Sequence, residues 1–130
     1  MLVNVSNHEL GSWFIQQLEA ARKLSGCGVI IDIPHPQLSP DADEQAVAGL
    51  AREVLDQIVG ARDQHRAETG CTECSVHLMG QAAFCDYLNK LLELKQIRAV
   101  YSATVWAVVE EDGVKTPRSR FVLFRQYLSI

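Results

Sequence analysis

A chain of 130 residues, 48% of them hydrophobic, has the length and apolar content of one compact domain with a real core, residues 1–130, and nothing in it reads as disordered. The net charge of -4 excludes general binding to long nucleic acid, which needs a broad basic surface to displace counterions. A small anionic ligand needs only a local cluster, and Lys115, Arg118, Arg120 and Arg125 fall close together near the end of the chain.

The start, Met1-Leu2-Val3-Asn4-Val5, has no basic leader region, and no apolar run approaches the ~18 residues that span a bilayer. A cytoplasmic protein with no membrane partner is expected. Cys27, Cys71, Cys74 and Cys85 should then be reduced thiols rather than a disulfide framework.

Leu2 to Val5 reads as a short first strand that runs into the polar triplet Ser6-Asn7-His8. In an open α/β sheet ligands sit outside the carboxyl ends of the strands, which makes the triplet the first candidate site; it also reads as a turn with a helix N-cap at Asn7 or Ser12. From Ser12 to Leu24, Trp13, Phe14, Leu18, Ala21 and Leu24 recur at helical spacing, and Ser25-Gly26-Cys27-Gly28 ends the helix. The apolar run Val29 to Ile33 suits an inner parallel strand, stopped by Pro34-His35-Pro36. His35 and His8 are thus both expected at carboxyl ends of strands, where they can share one rim or simply be solvated.

Ser39-Pro40 followed by Asp41, Asp43 and Glu44 signals a helix start, and Val47, Leu50, Ala51, Val54, Leu55 and Ile58 carry the helix to about Arg66. The polar segment from Ala61 to Gly70 is expected to fray or to form a separate turn. Cys71-Thr72-Glu73-Cys74 has the spacing of a dithiol pair or of half a zinc site, but it precedes the strand Ser75 to Met79 rather than opening a helix, and no second ligand pair follows at usable spacing, although His77 and Cys85 are near in sequence. Ordinary thiols and no metal are expected. Met79-Gly80-Gln81 is the next strand-to-helix junction, where Gly80 permits close backbone approach and the free amides of the following helix, Ala82 to about Leu94, would face an anion. A tight turn is the other reading.

Arg98 to Tyr127 reads as two long strands joined at Asp112-Gly113, a preferred hairpin turn. A strict period of two puts Arg118, Arg120, Val122 and Phe124 on one face of the second strand and Ser119, Phe121, Leu123, Arg125 and Tyr127 on the other. Arginines mixed with aromatics suit an anion site or an interface, and equally a charged edge strand that resists aggregation. The element order predicts an α/β fold: a small doubly wound, mainly parallel sheet with a C-terminal β-hairpin. The glycine fingerprint of dinucleotide binding, the Walker phosphate loop, the nucleophile elbow and the metal-binding His-Glu helix are all missing.

Gly80 with its nearby alanine, the aromatic helix, Val100-Tyr101-Ser102-Ala103-Thr104, the Glu-Asp-Gly turn, the ending Phe121 to Tyr127 and the early Asn7-His8 resemble small CRISPR-associated proteins of type III systems, single-domain relatives of the CARF fold. The resemblance implies a Rossmann-like three-layer sandwich, a homodimer, and binding of a cyclic oligoadenylate second messenger across the two-fold axis. With no separate effector domain to regulate, it implies a metal-independent ring nuclease that switches the signal off. Ring opening by a ribose 2'-hydroxyl needs no cofactor, only in-line geometry and charge stabilisation. His8 would act as general acid or base with Asn7 beside it; Ser6, His35, Gly80, Gln81, Ser102 and Thr104 would contact the ligand; Arg118, Arg120 or Arg125 would offset phosphate charge. Where the family tends to carry a basic residue after the fourth-strand hydroxyl, Val105 and Trp106 stand here, and Trp106 can stack on adenine or pack in the dimer. The alternatives are a sensor or sponge that does not cleave, and a structural α/β dimer unrelated to CRISPR.

Overall fold

The computed structural model describes residues 1–128. The elements, in chain order, are β1 (Leu2–Val5), a 3-10 turn (Leu10–Ser12), α1 (Ile15–Ser25), β2 (Ile30–Asp32), α2 (Glu44–Thr69), β3 (Ser75–Leu78), α3 (Ala82–Leu94), β4 (Arg98–Glu111) and β5 (Val114–Gln126). They form one five-stranded sheet in the order β2-β1-β3-β4-β5, parallel except for the antiparallel last pair. This is the expected α/β, Rossmann-like arrangement of a mainly parallel sheet with a C-terminal hairpin. No helix of the described residues is long and apolar enough to cross a membrane.

The central strands β1 and β3 are buried along their whole length, as inner parallel strands covered on both faces must be. Val3, Val5, Val76, Leu78 and Ala99 face one core with residues of α2 and α3, among them Ile58, Phe84 and Leu88. Leu2 faces a smaller core on the other side with Trp13 and Ala21, beneath α1.

Two helix starts and the place of β2 differ from the sequence reading: the apolar run expected inside the sheet forms its edge strand, only half-buried. Trp13 and Phe14 are extended rather than helical, and α1 begins at Ile15. The Trp13 indole donates to the His8 carbonyl at 3.1 Å and is buried, which draws this segment off the helix axis and into the smaller core. The second helix starts at Glu44 instead of Pro40, because the Asp43 carboxylate captures the Ala46 amide at 2.8 Å, a standard N-cap, while Ser39 bonds to Asp41. At its other end α2 does not fray: it runs unbroken to Thr69, where Gly70 turns left-handed at φ 75° and returns its N–H to the Arg66 carbonyl.

The hairpin is far longer than the rest of the sheet. Asp112 and Gly113 both have positive φ, the requirement of a two-residue turn that follows the strand twist. β4 has 14 residues, a span of roughly 45 Å, but it pairs with β3 only from Arg98 to Val100. Beyond Ser102 it is paired with β5 alone and projects past the carboxyl ends of the other strands.

Candidate functional site

Three neighbouring strands carry a polar residue at the same level. In the parallel register Asn4 of β1 stands between Asp32 of β2 and His77 of β3, on the sheet face covered by α1. Asn4 and His77 are each 2% exposed, so every polar atom there needs a partner. The Asp32 carboxylate can only accept, and it takes Asn4 Nδ2 at 2.8 Å; the same amide group also donates to the His8 carbonyl at 2.8 Å. Asn4 Oδ1 therefore faces the other way and accepts from the Ser6 hydroxyl at 2.8 Å and from His77 Nδ1 at 2.9 Å. That fixes the imidazole tautomer. With the proton on Nδ1, Nε2 accepts the Ser102 hydroxyl at 2.7 Å, and Ser102 Oγ in turn accepts from Gln17 Nε2 at 3.1 Å.

The His77 ring meets the edges of Trp13 and Phe124, at centroid distances of 4.8 and 5.4 Å. Burial pushes its pKa down to about 4, and the charge of nearby His8 adds to the shift. His77 is thus a neutral relay that holds Ser102 in place.

A cavity of about 490 Å³ lies over this network, lined by Ser6, His8, Trp13, His77, Ser102, Thr104 and Trp106 among others. It sits at the carboxyl ends of β1 and β3, where the chain turns one way through α1 to β2 and the other way through α2 to β3. In open α/β sheets that fork is where ligands bind. The volume is within the range of small-molecule sites.

The structure brings together Ser6, His8, Ser102 and Thr104 from the sequence-predicted set, and Trp106 stands 77% exposed beside them. Asn7 is exposed and does not line the cavity, so the polar residue of the first strand that organises the site is Asn4. His35 does not share the rim with His8. Its ring lies against Gly80 and 4.8 Å from Phe84, and a Cβ on Gly80, which has φ +151°, would overlap His35 Nε2. Gly80 is therefore needed to admit the His35 ring. Gln81 is the N-cap of α3, its side chain accepting the Phe84 amide at 2.7 Å.

The arginines are arranged differently from a strict period of two. Leu123 pairs with Ala103 but Phe121 pairs with Thr104, so Val122 is an extra residue, a β-bulge. The bulge switches the parity of β5. Phe121 and Phe124 share a face, with centroids 4.9 Å apart, opposite Thr104 and Ser102 on the cavity side. Arg118, Arg120 and Arg125, paired with Ala107, Val105 and Tyr101, all fall on the other face. Arg118 contributes to the cavity rim, but its guanidinium reaches the Glu111 carboxylate at 3.0 Å.

Asn4, Asp32 and Gln17 were not singled out from the sequence, and His77 was noted only for its nearness to the Cys71-Cys74 pair. The signal was a polar residue in each of three short strands, at positions that only the sheet register shows to be neighbours. No curated protein matches the chain. The family model described as "Uncharacterized protein MJ1673 family" matches residues 1–125, from β1 to the bulged strand β5, and the chain belongs to that family.

Proposed function

We propose that the cavity at the carboxyl ends of β1 and β3 binds a cyclic oligoadenylate and opens it, and that the fold is of the CARF type within the broader Rossmann-like class. One observation carries this reading: His8, the hydroxyls of Ser6, Ser102 and Thr104, and the exposed indole of Trp106 converge on one cavity at the fork of the sheet. Hydroxyls and an imidazole suit ribose and phosphate oxygens, and Trp106 suits an adenine face.

In the proposed reaction the ribose 2'-oxygen attacks the adjacent phosphorus and the bond to the 5'-oxygen breaks. A 2',3'-cyclic phosphate and a free 5'-hydroxyl result. His8 takes the 2'-proton or returns one to the leaving oxygen, and Ser102, held by His77 and Gln17, donates to a phosphate oxygen when its hydroxyl turns from the imidazole. Arg118 supplies charge from the rim once it leaves Glu111, a pair more than half exposed on both sides and weakly held. Arg120 and Arg125, on the far face, do not touch a ring held in the same subunit's cavity. A cavity of about 490 Å³ takes part of such a ring, so a second copy related by a two-fold axis completes the site. The site of action is the cytoplasm.

A second reading makes Ser102 itself the nucleophile, since Ser102, His77 and Asn4 follow the order of nucleophile, base and orienting amide. The low pKa of His77 makes it a weak base, which favours the first reading.

The test is incubation with cyclic tri-, tetra- and hexa-adenylate in the presence of chelator, followed by chromatography. Fragments ending in 2',3'-cyclic phosphate support the proposal, with His8→Ala slowed about 10²–10⁴-fold. A covalent adduct in which the opened oligoadenylate is joined to the serine through its phosphate, lost in Ser102→Ala, supports the second reading. Intact rings that co-elute with the protein make it a sensor or sponge, and rings that neither bind nor break overturn the ligand class.

A further inference from the structure

At the opposite, amino-terminal edge of the sheet three potential metal ligands meet from three separate segments. Cys27 lies in the loop from α1 to β2, His65 on the last turns of α2, and Cys71 just past its end. Cys27 Sγ is 3.4 Å from His65 Nε2, and the ligand atoms of all three residues lie within 4.8 Å of one another. Around a tetrahedral zinc ion, with bonds of about 2.3 Å to sulfur and about 2.0 Å to nitrogen, such atoms are roughly 3.5 to 3.8 Å apart. Only a small closure is needed.

The local chain is built to hold this arrangement. Gly70 turns left-handed after α2, and the Thr69 hydroxyl accepts the Cys71 amide at 3.2 Å while donating to the His65 carbonyl at 2.8 Å, which folds Cys71 back over the last helical turn. Gly26 and Gly28 both have positive φ, and the Gly28 amide is tied to the Ser25 hydroxyl at 2.8 Å, which sets the position of Cys27. Of the other thiols, Cys85 is buried in the main core and Cys74 is not among the residues that converge. The Cys71-Cys74 spacing is thus misleading: the partner of Cys71 comes from a loop more than forty positions earlier.

We infer that Cys27, His65 and Cys71 form a site for a soft divalent cation of the zinc class, with solvent as the fourth ligand on the exposed Cys27 side. Two thiolates and one imidazole select zinc-like ions over magnesium or calcium, which prefer oxygen. Binding would clamp the α1 to β2 loop to the end of α2, away from the cavity.

The test titrates the full chain, reduced and metal-free, with cobalt(II), then with zinc(II). Expected are a thiolate-to-cobalt charge-transfer band with tetrahedral visible bands, both removed by zinc. Cys27→Ser and Cys71→Ser, each checked by circular dichroism to be folded, should weaken cobalt binding more than about 100-fold, with His65→Ala following them. Cys74→Ser should leave the spectrum unchanged. Absence of a charge-transfer band in the wild type, or a band that survives Cys27→Ser, overturns the inference. A band lost in Cys74→Ser also overturns it, because it moves the site to the Cys-X-X-Cys pair.

Discussion

The row Asp32, Asn4, His77 and the outer hairpin solve opposite problems. In the row, Asn4 and His77 lie buried and the chain itself supplies their partners: Asp32 of β2, Ser6 and the His8 carbonyl from the turn after β1, and Ser102 of β4, itself held by Gln17 of α1. On the hairpin, apolar groups lie outside. Val105, Trp106, Val108 and Val114 are each more than half exposed, and nothing among the described residues covers them. An exposed apolar surface of this kind is where the proposed second copy would sit.

Breaking the row should cost the most. Asn4→Leu keeps the side chain's size but leaves the His77 Nδ1–H buried without an acceptor and removes the brace on Ser6. A loss of about 4 kcal/mol in urea unfolding is expected. A loss under about 1 kcal/mol would mean that water or His8 takes over the bonds, and that the row is not what orders the site.

The same row should make stability depend on pH. His77 has a folded pKa of about 4, below its ordinary value of 6.5, so between these values the unfolded chain binds more protons than the folded one. The contribution is fully present above pH 6.5 and is lost as pH falls toward about 4, at most about 3 kcal/mol in all. His77→Gln should flatten that part of the stability profile. A wild-type profile already flat from pH 7 to 4.5 would show that the imidazole is solvated.

The order of elements was legible because it depends on local signals: the apolar run at β2, helical spacing for α3, and Asp112-Gly113 for the hairpin turn. The row was not legible, because a single Asn, Asp or His in a strand of three or four residues has no local meaning; it becomes a site only when the parallel register aligns three of them. The bulge was hidden for a related reason. Counting by twos along β5 assumes a regular ladder, and Val122 breaks it, which moved Phe124 to the aromatic side and Arg125 to the arginine side. Deleting Val122 should therefore be mild for a strand deletion. Leu123 opposite Ala103 and Phe121 opposite Thr104 are then simply consecutive pairs, every side chain keeps its face, and a change of about 1 kcal/mol is expected from the altered twist. Unfolding of the chain on this deletion would show that the bend made by the bulge, rather than the parity it sets, is what the arm requires.

The smallest effect on the folded subunit is expected at the arm, and there it separates the two regions most cleanly. Val108 is 69% exposed on a stretch of β4 bonded only to β5, so Val108→Lys removes no buried contact within the subunit. Unfolding of the dilute protein should shift by no more than about 0.5 kcal/mol. If the arm is where two copies meet, the same lysine is placed in an apolar interface, and sedimentation at micromolar concentration should show the wild type as a dimer and the variant as a monomer. Ring cleavage should then fall with dimer content, because each cavity holds only part of the ring, while the unfolding and pH behaviour of the row stay as in the wild type. A monomeric wild type that still cleaves rings would detach the arm from the site and leave its apolar face to a different partner.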